Sequence, residues 1–164
     1  MTKTLDFTST IIFNQNPETA YNAIQQFRLW WSEEIEGPSD ALNATFFYHY
    51  KDIHLCKMKL IETVKNQKLV YEVIENQFSF IKDQTEWVGT KLVFEIKPIG
   101  NQTQIVFTHQ GLVPSYECYQ VCFDAWTGYI QNSLHSLISK GKGQPNPKDA
   151  DGFNAELAKK WQLN

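Results

Sequence analysis

Cysteine is scarce in this chain: Cys56, Cys118 and Cys122 are the three in 164 residues. An odd, sparse set makes no secreted disulfide framework and fits a reducing cytoplasm. No run approaches the roughly 18 apolar residues needed to cross a bilayer. The opening MTKTLDFTST has an early Lys, an Asp and no continuous apolar core, so it does not read as a signal peptide. A surplus of one charge is missing too: 15 Lys and Arg face 18 Asp and Glu, for a net charge of −3. That balance argues against a nucleic-acid partner. Lys140, Lys142, Lys148, Lys159 and Lys160 cluster, but Asp149, Asp151 and Glu156 lie among them, which reads as a solvated C-terminal surface. Also absent are a P-loop, a dinucleotide fingerprint, HExxH and a Gly-x-Ser-x-Gly elbow. The chemistries that those motifs serve have no basis here.

What the chain has in quantity is rings: 11 Phe, 7 Tyr and 5 Trp, 14% of the residues. Together with a 42% hydrophobic content, they supply one domain with a core that needs neither metal nor disulfide.

The patterning gives an order of elements. Leu5 to Phe13 alternates as a strand. Asn16 caps a helix that starts at Pro17, carries Ala20, Ile24 and Phe27 on one face and stops near Trp30–Trp31. Gly37-Pro38-Ser39 marks a loop. Strands follow over Ala44–Tyr50, His54–Val64, Lys68–Ile74, a short Gln77–Ile81, a long Thr85–Ile99, and Gln102–Gln110 after a turn at Gly100–Asn101. Tyr116 to Ser139 reads as a long helix, with Tyr119, Cys122 or Phe123, Trp126, Ile130, Leu134 and Leu137 recurring at three and four, and Gly141 ends it. Phe153, Leu157 and Trp161 would share the apolar face of a short tail helix from about Gly152 to Lys160. The expected division is a domain over residues 1–145 and a C-terminal extension over 146–164. One long amphipathic helix on one face of an antiparallel sheet leaves room for a cavity between them.

Several clusters carry two readings. His54 and Cys56 share a strand face, and Cys118 and Cys122 share a helix face. The set could hold zinc, or be buried thiols beside a satisfied histidine, and Cys-x3-Cys is not the usual knuckle spacing. His109 or His54, with Asp83, Glu86 or Glu117, could do acid–base chemistry, or sit hydrogen-bonded in the sheet. Trp87 and Trp126 either face a cavity or fill the core, and Trp30–Trp31 anchors a loop.

These segments carry a resemblance. Pro17-x-x-Ala20-Tyr21-x-Ala23-Ile24, Trp30–Trp31, His54-x-Cys56 followed by Glu62, and Leu69-Val70-Tyr71-x-Val73 are part of it. Glu86-Trp87-x-Gly89-Thr90, Phe94-Glu95-Ile96, Thr103-x-Ile105-x-Phe107-Thr108-His109-x-Gly111-Leu112 and Trp126-x-x-Tyr129-Ile130-x-x-Ser133-Leu134 continue it. Over residues 5–145 the chain resembles the START-like helix-grip (SRPBCC) superfamily. More narrowly, it is similar to the domain family of the activator of heat-shock-protein-90 ATPase. The resemblance implies an α+β helix-grip (START-like, Bet v-like) fold. In that fold a curved antiparallel sheet wraps a long C-terminal helix, and a short helix or helix pair follows the first strand. The superfamily shares a hydrophobic cavity and no catalytic set, so no catalytic residue carries over. Many relatives have a Gly-Gly pair before the residue matching Phe46, and this chain does not. The co-chaperone relatives usually have a separate N-terminal domain, for which this length leaves no room.

The leading expectation is therefore non-enzymatic binding of a small hydrophobic or aromatic ligand. Tyr48, His54, Trp87, His109, Tyr119, Phe123 and Trp126 are the cavity candidates. Neither a cofactor nor a metal is expected. The alternatives are a co-chaperone-like regulator with an ATPase or chaperone partner, then a cyclase- or hydrolase-type enzyme. No nucleic acid and no membrane span are expected, in a cytoplasmic monomer or homodimer.

Overall fold

A computed structural model describes residues 5–148 and 152–163. Asp149 and Asp151 of the charged C-terminal stretch, and the first four residues, lie outside the described residues. Strand β1 (Phe7–Phe13) leads into helix α1 (Pro17–Ile24) and the single turn α2 (Phe27–Trp30). Asn16 Oδ1 accepts from Thr19 N at 2.8 Å, the cap that the Asn-Pro pair predicts. The chain then crosses to the far edge of the sheet. It returns as β2 (Ile35–Glu36), β3 (Thr45–Tyr50), β4 (His54–Val64), β5 (Lys68–Phe78), β6 (Lys91–Ile99) and β7 (Gln102–Gln110). The curved sheet has the order β1-β7-β6-β5-β4-β3-β2, and every neighbouring pair is antiparallel.

Period two decides which side chains face inward. Phe7, Ile11 and Phe13, then Cys56, Met58 and Leu60, then Leu92, Phe94 and Ile96, are buried. The concave face that they form holds the last long helix. That helix is α3 (Tyr119–Gly128), a π turn (Tyr129–Leu134) and α4 (His135–Lys140) in succession, stopped by Gly141 in the left-handed region at φ 78°. The wide π turn brings Tyr129, Ile130, Ser133 and Leu134 inward together. Ser133 Oγ donates to Trp30 O at 2.6 Å and fixes the helix to α2. A tail helix, α5 (Phe153–Trp161), packs on α3.

Two segments differ from the strand pattern expected. Residues 77–81 form no strand of their own, because β5 runs unbroken to Phe78. The expected strand over Thr85–Ile99 begins at Lys91, and residues 79–90 make successive turns instead. Glu86 N donates to Asp83 O, Val88 N to Thr85 O and Thr90 N to Trp87 O. Gly89, at φ +88°, permits the last of these. Trp87 is thus a loop residue, and its burial comes from the turn and not from strand alternation. The long helix also starts three residues later than its periodicity suggests, since 116–118 are turn.

Candidate functional site

The interior between sheet and helix is a continuous packing of rings. Trp31, at the end of α2, stacks on Tyr48 of β3 with centroids 4.1 Å apart and planes 20° apart. Trp87 lies near-parallel to Trp126 of α3 at 5.9 Å. His54 and His109 each meet the Trp87 ring edge-on, at 4.8 and 4.7 Å. Such geometries suit the ring quadrupole and add to the burial of apolar area.

His109 is fully enclosed and fully hydrogen-bonded. Trp126 Nε1–H donates to its Nδ1 at 3.0 Å. The Thr90 hydroxyl spends its proton on Trp87 O at 2.6 Å. The Thr90 oxygen, 2.7 Å from His109 Nε2, is therefore the acceptor. These partners assign the Nε2–H tautomer and a neutral ring. Burial, assisted by His54, holds the His109 pKa down to about 3. His54 Nε2 lies 2.7 Å from Asn76 Oδ1, and burial lowers its pKa to about 4.

The carboxylates are committed elsewhere. Glu86 accepts from Glu117 N at 2.8 Å and Cys118 N at 3.1 Å, closing the turn that starts α3. Glu117 in return accepts from Lys82 N and Asp83 N, at 3.3 and 3.1 Å. The two glutamates clamp the 79–90 loop to the helix start. The Glu-Trp-x-Gly-Thr and Thr-His-x-Gly segments meet here, because Thr90 and His109 bond to each other. All three thiols are buried and free. The Cys118 thiol is pushed up by its hydrogen bond to Cys122 and by burial, and that of Cys56 by burial. Among the described residues, no three His, Cys, Asp or Glu side chains gather to hold a metal ion.

One cavity opens beside this packing. Tyr48, His54, Trp87, Trp126 and Tyr129 form its wall, and Asn154, Leu157 and Leu163 close it from the tail. Its volume is about 60 Å³. A water needs roughly 10–15 Å³ by this measure, and ligand pockets run to roughly 300–1,000 Å³. A few waters fit, and a drug-sized molecule does not. No charged side chain lines it. Trp87 Nε1 is buried without a hydrogen-bond partner.

The tail is held by a polar latch within this apolar setting. Asn154 Nδ2 donates to Tyr48 Oη at 2.6 Å, and its Oδ1 accepts from the Tyr129 hydroxyl. Asn146 Nδ2 donates to Tyr129 Oη at 2.8 Å and to Trp31 O at 3.0 Å. Asn146 Oδ1 accepts from Asn154 N at 2.7 Å. Burial raises the Tyr48 and Tyr129 pKa values, so both are neutral phenols.

Of the residues expected at a cavity, Tyr48, His54, Trp87 and Trp126 stand on its wall. His109 sits behind Trp126 and Trp87. Tyr119 is only partly buried, and Phe123 is 42% exposed and packs edge-on against Phe7 at 5.2 Å. Neither of these two is on the wall. Sequence reasoning missed Tyr129, although it lies three residues after Trp126 on the same face. It also missed Asn146 and Asn154, for which a lone polar residue in a tail offers no signal.

A sheet of this order gripping a long helix is also the fold of solved proteins. The solution structure of the Aha1 dimer from Colwellia psychrerythraea matches with a TM-score of 0.69 at 20% identity, over 85% of this chain and 100% of that one. The chain has the helix-grip fold. A Staphylococcus saprophyticus protein (TM-score 0.62, 12% identity, 84% of this chain and 94% of that one) has the same fold. So does a Bacillus halodurans protein (TM-score 0.60, 15% identity, 85% and 100%). No protein-family profile and no curated protein matches this helix-grip chain. At such identities the likeness carries the fold alone. No helix among the described residues is long and apolar enough to cross a membrane.

Proposed function

We propose that this chain is a non-catalytic regulatory domain of the Aha1 type, which binds a protein partner through its outer surface. The observation that carries this reading is the filled interior. The cavity beside the rings is about 60 Å³, and uncharged, closely packed rings fill the interior around it. His109, Glu86 and Glu117 are spent on structural bonds and His54 is tied through Nε2 to Asn76, which counts against cyclase or hydrolase chemistry at these groups. The Aha1 likeness of the fold supports a chaperone ATPase of the heat-shock-protein-90 type as partner, and a cytoplasmic setting where the three thiols stay reduced. In this reading the domain is a monomer or homodimer, with residues 146–164 as an extension of the body. Isothermal titration of the full chain into purified heat-shock-protein-90 with ATP tests it. Saturable heat is expected, and absence of heat across the micromolar range overturns the reading.

A second reading, a small-ligand site at the cavity, has one specific support. Trp87 Nε1 is a buried donor without a partner, on a ring that lines an apolar space. An unpaired buried donor is costly, and a bound acceptor would relieve it.

A further inference from the structure

The outer face of the sheet carries charge in a pattern that complements itself. Period two turns Lys68, Val70 and Glu72 of β5 and Lys91, Val93 and Glu95 of β6 away from the helix, since Leu69, Tyr71, Leu92 and Phe94 between them are buried inside. Register sets Glu72 beside Lys91, Val70 beside Val93 and Lys68 beside Glu95. Four charges thus alternate in sign around two valines. Glu62 of β4 holds Lys68 at 3.3 Å, and among the described residues Glu72, Lys91 and Glu95 form no ion pair. Val64 of β4 and Val106 of β7 flank this square at the level of Lys68 and Glu95. Val64 is 40% exposed, Val93 and Val106 are half-buried, and Val70 is set more deeply. A trough of about 310 Å³ runs from Val64 over Lys68 and Glu95 to Val106.

We propose that this face pairs with a second copy of the chain, about a two-fold axis that runs along the strands between β5 and β6. That operation lays β5 on β6 of the second copy and β4 on its β7. Glu72 then meets Lys91 of the second copy, Lys68 meets Glu95, Val70 meets Val93 and Val64 meets Val106, and symmetry repeats each contact. Glu62 falls opposite the uncharged Thr108. An axis running across the strands over Val70 and Val93 would instead set Glu62 against its own copy, so the charges select the first axis. Sheets packed face to face stand about 10 Å apart, within reach of Lys and Glu side chains. Four strands of about nine residues present roughly 19 by 30 Å, about 570 Å² per copy, at the low end of specific interfaces. The dimer is therefore weak, exchanging and sensitive to salt. The inference rests on the homodimer side of the regulatory reading.

The test is sedimentation velocity of the full chain from about 5 to about 500 µM at low salt, with Glu72→Lys, Lys91→Glu and their equimolar mixture beside it. The parent is expected to move toward dimer mass with concentration and to return to monomer in about 0.5 M NaCl. Glu72→Lys leaves only positive charge at this pair of positions and Lys91→Glu only negative, so each alone is expected to dimerise at least about tenfold more weakly. The mixture again places opposite charges across the axis and is expected to recover the parent's dimer, a rescue that a merely damaged fold would not show. Far-UV circular dichroism establishes that each variant is folded. Lys68→Glu and Glu95→Lys make the same test at the other pair if either is not. A parent that stays monomeric to about 500 µM overturns the inference. So does a parent-like dimer in either variant alone, or a mixture no tighter than its folded components. The assay contains no chaperone, so each of these failures leaves the regulatory reading standing.

Discussion

Acid should unfold this protein earlier than its carboxylates require, and two buried histidines set the size of the effect. In the unfolded chain each histidine takes up a proton near pH 6.5. In the folded chain His54 does so only at about 4 and His109 only at about 3. Between those values the unfolded form binds more protons, so stability is full above pH 6.5 and falls as pH drops toward 4. Each histidine loses about 1.4 kcal/mol per pH unit in that window. From pH 6.5 to 5.0 this is at most about 2 kcal/mol each and about 4 kcal/mol together, a large share of the roughly 5–15 kcal/mol that a domain has. Screening does not soften the His109 share, because that ring is fully buried, whereas His54 is half-buried and gives the smaller share of the loss. Urea unfolding followed by far-UV circular dichroism at half-unit steps from pH 7.5 to 5.0 measures the slope. Stopping at pH 5 keeps the carboxylates out of it. His54→Gln should lower stability at neutral pH and reduce the slope by less than half. A midpoint that stays constant from pH 7 to 5, or a folded-state titration of either ring near 6.5 by NMR, would refute the neutral, enclosed assignment of these histidines.

Three further outcomes follow from named contacts. Asn154→Ala strands the Tyr48 and Tyr129 hydroxyls and should cost about 1–3 kcal/mol in chemical denaturation, read with unchanged far-UV circular dichroism. Glu86→Ala removes the acceptor of two backbone N–H groups at the start of α3 and should cost about 1–2 kcal/mol, with the 79–90 loop amides exchanging faster. Gly111→Ala puts a Cβ at φ +101° and 2.8 Å from Thr90 Cγ2, pressing on the Thr90–His109 bond. It should cost about 2 kcal/mol and lower the thermal midpoint, whereas Gly100→Ala, with nothing within 4 Å, should cost less.

The sequence was most legible where one face of an element is buried. The alternation in β1, β4, β6 and β7 names the core residues correctly, and Asn16-Pro17 names the first helix start, because those patterns are imposed by solvent on one side. It was least legible between Phe78 and Lys91. The alternating Thr85–Ile99 stretch imitates a strand, yet a series of turns and the Glu86–Glu117 clamp decide the conformation, and only Gly89 hints at it. The site was half legible. Tyr48, His54, Trp87 and Trp126 could be read because large rings on a gripping sheet have few places to go. Phe123 could not be separated from its neighbours, since Cys122 and Phe123 are adjacent on a helix and only packing chooses which one turns in. The Asn146–Asn154 latch left no trace, because hydrogen-bond partners far apart in the chain carry no periodicity.

On the proposed regulatory reading the chain acts on a partner, and ATP turnover reads that action directly. Purified heat-shock-protein-90 is assayed for ATP hydrolysis with increasing full-length chain, with a specific inhibitor of the chaperone defining the background. A saturable, several-fold rise in turnover at near-stoichiometric chain is the predicted result. Unchanged turnover at a tenfold molar excess would contradict the account.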